Sequence, residues 1–328
     1  MIALDVQAHI CLILVQTIYG AGSVLRRIGL QHTTPVAYTL FRVLLAGPLL
    51  ASLQVLQGGL PVPSHDEIGP LMIASVCLVI MYLGMTVGTT LSGAMVAAVW
   101  QPTTLVFTAL LSMVVFRTEG TSARKMTGVA FGLAGSVSLV LGDPAVSSGE
   151  ASAPTGSVFG HTALLANNLA AAYSTVLRRQ LMARGVCGGS AMRFVAWAHL
   201  LAAPLTLLAA GLLGASADFR ARACGGCSFL APPAAAEAWV AIFLDAVVMA
   251  AFCQSALAWA AQHVSPSTVG MYFALQPVVS VIVGVTLRTL FPSLQAIIVA
   301  PSANLAGGVF IFIGLCLVSS RPGSKRKQ

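Results

Sequence analysis

Two ionisable residues stand inside apolar runs that ought to exclude them. Asp245 follows Glu237 by eight residues within the run 237–261, and Arg42 lies seven residues into the run 35–57. At 1.5 Å per helical residue these positions are about 12 and 10 Å deep. An ionised group at such depth is costly and normally turns toward an opposite charge, water or a bound solute. Opposite charges at matched depth either pair or hold the two ends of a zwitterion. Asp245 is also a candidate carrier of a coupling proton, since burial and a neighbouring cation act on its protonation in opposite senses. Arg42 has a plainer reading, a structural arginine bonded to carbonyls of a neighbouring helix. Tyr38 sits one turn before Arg42 on the same face. Met249, Phe252 and Trp259 follow Asp245 at spacings of four, seven and fourteen, extending one helical stripe.

Pro102 and Pro277 each fall within an apolar run, where proline frees a backbone carbonyl and kinks a helix. Trp100, Gln101 and Gln276 stand beside them, with Tyr272 one turn from Gln276, as candidate polar and stacking contacts for a solute. Asn167 and Asn168, with Tyr173, either touch the solute or join helices by hydrogen bonds. His9, His161 and His199 are isolated, which suits interfacial or hydrogen-bonded histidines better than metal ligands. Cys224 and Cys227 supply only half of a structural zinc site. Ser64-His65-Asp66-Glu67 contains catalytic residue types, but neighbours in one loop cannot converge as a triad. These patterns call for no catalytic residue, cofactor or metal.

Composition says what must position these groups. The chain of 328 residues is 57% hydrophobic and 8% charged, with a mean hydropathy of +0.90. An ordinary soluble domain carries about a quarter charged residues. A soluble enzyme, a disordered chain and a nucleic-acid binder are thereby excluded, and the lipid bilayer becomes the solvent. Seven cysteines scattered through apolar runs exclude a disulfide scaffold.

A membrane helix needs roughly 20 mostly apolar residues. Ten runs qualify, near 7–25, 35–57, 68–88, 93–116, 124–142, 158–180, 190–213, 237–261, 266–287 and 297–319. Lys and Arg in the intervening loops favour both termini on the cytoplasmic side, although Arg26 and Arg27, read as residues of an outer loop, run against that bias. The first run lacks a basic segment ahead of it and is expected to stay as an anchor. The tail Lys325-Arg326-Lys327 suits anionic headgroups or a retrieval signal, leaving plasma membrane and endomembrane both open.

The chain repeats itself. His9 precedes SVLRR (Ser23 to Arg27) by fourteen residues, and His161 precedes TVLRR (Thr175 to Arg179) by the same distance. Ser92 with Gln101-Pro102 matches Ser267 with Gln276-Pro277, and Gly128 with Gly135 matches Gly307 with Gly314. The matches pair runs one to five with six to ten. Five is odd, so the halves enter the membrane with opposite orientations, an architecture in which a central site opens alternately to the two sides. The expected organisation is a first repeat over 7–142, a linker over 143–157, a second repeat over 158–319 and a basic tail over 320–328. The expected fold is therefore all-α, a polytopic membrane protein with ten transmembrane helices in two inverted five-helix repeats.

Tyr38 followed by Phe41-Arg42, the stretch SGAMVAAVWQPTTLVFTALL (Ser92 to Leu111) with Arg117-Thr118-Glu119 behind it, and the glycine-rich GGVFIFIGLCLVSSRP carry a likeness. On these residues the chain resembles the EamA-type transporters of the drug/metabolite transporter superfamily, and among them the plant walls-are-thin-related and UmamiT exporters. The second half departs from that pattern, with Arg288 to Pro292 where an acidic residue is usual and a long loop over Gly214–Ala236. The resemblance implies a secondary transporter of small organic metabolites, amino acids or related organic acids, working by alternating access without covalent chemistry. The alternatives are a nucleotide-sugar or phosphorylated-metabolite carrier of an internal membrane, which needs several cavity-facing basic residues, and a non-transporting receptor or scaffold.

Overall fold

Every regular element among the described residues is helical. The computed structural model describes residues 2–117, 122–141, 156–217, 220, 230–264, 269, 272–273, 275–295 and 306–319. Ten helical stretches of fourteen residues or more lie among them. They are α1 (Ile2–Gly29), α2 (Pro35–Leu56), α3 (His65–Ser92), α4 (94–115), α5 (Ala123–Leu141), α6 (Gly156–Ala183), α7 (Ala191–Ala215), α8 (Ala236–His263), α9 (Leu275–Leu290) and α10 (Ala306–Ser319). Six of these, α1 to α4, α7 and α8, are long and apolar enough to cross a membrane. Cys224, Cys227, Glu119, Ser267 and the basic tail lie outside the described residues.

Local signals set the ends. The Thr34 hydroxyl accepts from the Ala37 amide and Pro35 occupies the first helical position of α2, both favoured there. Ser64 and Glu67 form a capping box at the start of α3. The acids of Ser64–Glu67 are thus helix-start chemistry: Glu67 Oε2 accepts from the Ser64 amide at 2.9 Å, and its Oε1 accepts from the Cys187 amide at 2.7 Å, tying α3 to the turn before α7. Gly93, with φ of 89°, ends α3 and lets α4 begin at once, a conformation open to glycine.

Two helices are irregular inside. α4 breaks at Gln101-Pro102 between Ala94–Trp100 and Thr103–Leu110, because Pro102 has no amide to donate. The break tightens into turns, with the Thr104 amide donating to Gln101 O at 3.0 Å and the Leu105 amide to Pro102 O at 3.1 Å. The Thr103 hydroxyl donates to the Trp100 carbonyl at 2.7 Å and the Gln101 amide to the Ala98 carbonyl at 3.2 Å, so both carbonyls are satisfied within the helix. α8 widens into a π-helix from Asp245 to Cys253, a form frequent at functional sites. That widening ends the stripe expected from Asp245. A π turn advances by more residues than 3.6, so Met249 stays buried while Phe252 turns out and is 50% exposed.

The packing is reciprocal. α1 packs on α8 and α6 on α3; α1 packs on α9 and α6 on α4; α2 meets α7, and α5 meets α10. Polarity is inverted relative to a soluble protein. Gln16, Arg42, Asp245, Asn168 and Gln276 are buried, while Leu208, Leu212, Val240 and Ile282 lie exposed on the outside. Such a surface suits lipid, which asks nothing polar of it. Close approach is marked at Gly84 in α3, where a Cβ would stand 2.6 Å from the Ala163 carbonyl of α6.

One correction follows at once. α1 runs to Gly29, so Arg26 and Arg27 are helical and not loop residues. Arg27 donates to the Thr89 and Thr90 carbonyls at 3.3 and 2.8 Å, closing the C-terminus of α3 as basic side chains commonly do. Arg26 turns into the interior and is 4% exposed.

Candidate functional site

α1, α2 and α8 together build a buried ion cluster. Asp245, fully buried, accepts from Arg26 Nε at 2.9 Å through Oδ2, and its Oδ1 lies 3.0 Å from Arg42 Nη2. The Tyr38 hydroxyl donates to Oδ2 at 3.1 Å and lies 3.2 Å from the Ala241 carbonyl. One carboxylate thus holds two guanidinium groups and a phenol. The Arg42 guanidinium carbon stands 3.8 Å over the Tyr82 ring, a cation–π contact, and the Tyr82 hydroxyl meets His199 Nε2 at 2.9 Å. Leaving either arginine without Asp245 would strand a charge in the interior, where partner loss costs about 3–5 kcal/mol.

Behind the cluster lies a polar cavity of about 90 Å³. Arg26 and Arg42 border it on one side, and Tyr82, Gln101, Asn167, Arg178, Gln254 and Gln276 complete its polar wall. It shares Thr175, Arg178, Leu257 and Phe273 with a vestibule of about 570 Å³ that reaches Ala183 and Val264, where α6 and α8 finish. The ion cluster stands at the opposite end, near where α2 and α8 begin. The cavity therefore has a wide approach from one end of the bundle and a salt-bridged wall toward the other.

Of the residues singled out in the sequence, Arg42, Gln101, Asn167 and Gln276 line the cavity. Tyr38 and Asp245 form its closed wall through the ion cluster. Pro102 makes the break in α4 next to Gln101, whereas Pro277 sits in the first turn of α9, where no amide is missed. Trp100 donates to His161 Nδ1 at 3.0 Å, and Asn168 accepts from Thr104 at 2.6 Å, so both join helices while Asn167 faces the cavity. Tyr272 meets His9 Nδ1 at 2.7 Å, and Trp259 packs beside His263. Neither of these, nor Phe252, borders the central cavity. The three histidines are hydrogen-bonded to aromatic partners, and the described residues hold no cluster of three metal-ligating side chains.

Arg26, Arg178, Tyr19, Tyr82 and Gln254 were not anticipated. The signal was in the repeat itself: Arg26 and Arg178 occupy the same place in SVLRR and TVLRR. α1 continues past its apolar run and carries Arg26 to the cavity, and α6 turns Arg178, near the end of its run, toward the same space.

An all-helical bundle around a buried polar cavity, with an apolar exterior, defines a multi-pass membrane protein. Residues 7–141 match the model of the EamA-like transporter family. A solved structure titled only "Crystal structure of protein" superposes with a TM-score of 0.58 at 16% identity, covering 96% of this chain and 98% of that one. This likeness concerns the fold alone. No curated protein matches the chain.

Proposed function

We propose that this protein is a secondary carrier that moves small organic metabolites, amino acids or related organic acids, across a membrane by alternating access. Ten membrane helices in two inverted five-helix halves, with both termini cytoplasmic, form the frame of this reading. The observation that carries it is the polar cavity at the meeting of the halves, approachable from one end and walled off at the other by the cluster of Arg26, Asp245 and Arg42.

Polar ties between helices support the duplication. His9 of α1 bonds Tyr272 near α9, and His161 of α6 bonds Trp100 of α4. Gln16 of α1 bonds Gln276 of α9, and Asn168 of α6 bonds Thr104 of α4. Each tie crosses between the halves, and each α1 residue in them has its counterpart 152 residues along in α6. Opening toward the other side would then require the ion cluster to separate while the vestibule closes. The break at Pro102 and the π turns after Asp245 place compliant backbone beside the cavity, which is where irregular helix is tolerated in a membrane.

A second reading, a carrier of phosphorylated metabolites, is favoured by one specific finding. Three arginines border the cavity, Arg26, Arg42 and Arg178.

Purified protein in liposomes, tested for uptake of an amino-acid, organic-acid and sugar-phosphate panel with and without a pH gradient, tests the function. Saturable uptake of a subset, lost in Asp245→Ala, is expected. Leakage equal to empty liposomes for every solute would favour a receptor or scaffold.

A further inference from the structure

The two repeat-equivalent arginines are treated differently by their surroundings. Arg26 of α1 meets Asp245 of α8 and lies in the same cluster as Tyr38 of α2. Its counterpart Arg178 of α6 lines a small pocket with Ala74 and Leu78 of α3 and Phe194 and His199 of α7, with no carboxylate in that lining, and its guanidinium carbon stands 5.9 Å from the Phe194 ring. Its polar contact among the described residues is one long bond, Nη2 to Gln254 Oε1 at 3.5 Å. Its Nε is buried and unbonded. A guanidinium has five N–H donors and matches a carboxylate or phosphate in a fork. Most of that capacity is open.

We propose that Arg178 is the receptor for the anionic group, carboxylate or phosphate, of the carried solute; this rests on the transport reading above. Arg178 lines both the central cavity and the vestibule, so an anion entering from the wide end meets it before reaching the ion cluster. The charges support this. Arg26, Arg42 and Arg178 line the cavity, and Asp245 behind its wall is already committed at 2.9 and 3.0 Å to Arg26 and Arg42. A cavity of positive sign within low-dielectric walls attracts an anion and discourages a cation. Ser174, Thr175 and Asn167 stand on the same helix to bind the rest of a polar solute, and Leu257 and Phe273 offer an apolar side. An arginine at membrane depth whose built-in counterion is missing leaves room for the solute to supply it.

The test uses purified full-length protein in detergent. Thermal unfolding is followed with benzoate, succinate or inorganic phosphate, against benzamide, succinamide and sodium chloride at matched ionic strength. A ligand that binds only the folded state raises its stability in proportion to the logarithm of concentration over Kd. At least one of the three anions should raise Tm where the neutral amides do not. Its apparent Kd should rise at least tenfold in Arg178→Gln, and Arg178→Lys, which keeps the charge, should recover part of the loss. Preference for benzoate or succinate assigns a carboxylate, and preference for phosphate assigns a phosphate ester. If no anion stabilises the wild type beyond its neutral partner, or if the preference survives Arg178→Gln, the proposal is overturned. Arg178-dependent binding without flux in liposomes would instead refute transport and leave the anion site standing.

Discussion

Asp245→Asn should destabilise the protein through its arginines, and the effect should shrink when an arginine is neutralised with it. Asn nearly preserves the shape and retains one oxygen acceptor, so the main loss is negative charge between Arg26 at 2.9 Å and Arg42 at 3.0 Å. Those side chains are 5% and 2% exposed, and Asp245 is fully buried, so water cannot replace the carboxylate cheaply. Stranding a buried charge costs about 3–5 kcal/mol. Arg42→Gln alone leaves Asp245 with Arg26 and Tyr38 and should cost less. The double variant removes both members of one ion pair, and its cost should fall below the sum of the singles by about 1–3 kcal/mol. Unfolding of the four proteins in detergent measures this cycle. Additivity within about 0.5 kcal/mol would refute the pairing as an energetic unit. Combining Arg42→Asp with Asp245→Arg extends the test, because it restores an ion pair between α2 and α8 with its charges exchanged; expression above either single swap is expected.

Three further outcomes follow from particular contacts. Pro102→Ala restores an amide at the break in α4, and should slow transport several-fold while leaving membrane insertion intact; unchanged flux would reduce Pro102 to packing. Gly84→Val drives a side chain against the Ala163 carbonyl, 2.6 Å from the added Cβ, and should cost about 1–3 kcal/mol in detergent unfolding. Burial and the nearby Glu67 carboxylate push the Cys187 thiol up to about 11. At pH 8 only roughly one thiol in a thousand is then thiolate, so alkylation at Cys187, read by peptide mass spectrometry, should be slow and should quicken as pH rises. Glu67→Gln removes the charge that disfavours the thiolate and loosens the turn, so it should accelerate that alkylation.

Much of the helical frame was legible because lipid imposes a simple rule on length and polarity. The runs around 35–57 and 190–213 end within a few residues of α2 and α7, where Thr34, Pro35 and Ser190 mark the starts. The pairing of Arg42 with Asp245 was legible too, since two lone opposite charges at one depth have few other partners. What escaped has physical reasons. Arg26 lies just beyond its apolar run and Arg178 at the end of its own, and hydropathy alone cannot separate a helical arginine turned inward from one in a loop. The fate of Phe252 depended on the π turns after Asp245, which no spacing of side chains announced. Trp100 and Asn168 were identified as polar groups at depth, but whether such a group faces a solute or a neighbouring helix is decided by His161 and Thr104 across the interface.

Counterflow in proteoliposomes tests the carrier most directly. Vesicles are loaded with a high concentration of an unlabelled solute taken from the uptake panel and diluted into a trace of the same solute carrying a label. A carrier that exposes one cavity alternately to the two sides should draw the label transiently above its equilibrium level before it decays, and Asp245→Ala should abolish that overshoot. A monotonic rise to equilibrium without overshoot would mark a channel, and label no higher than in empty vesicles across the whole panel would contradict transport altogether.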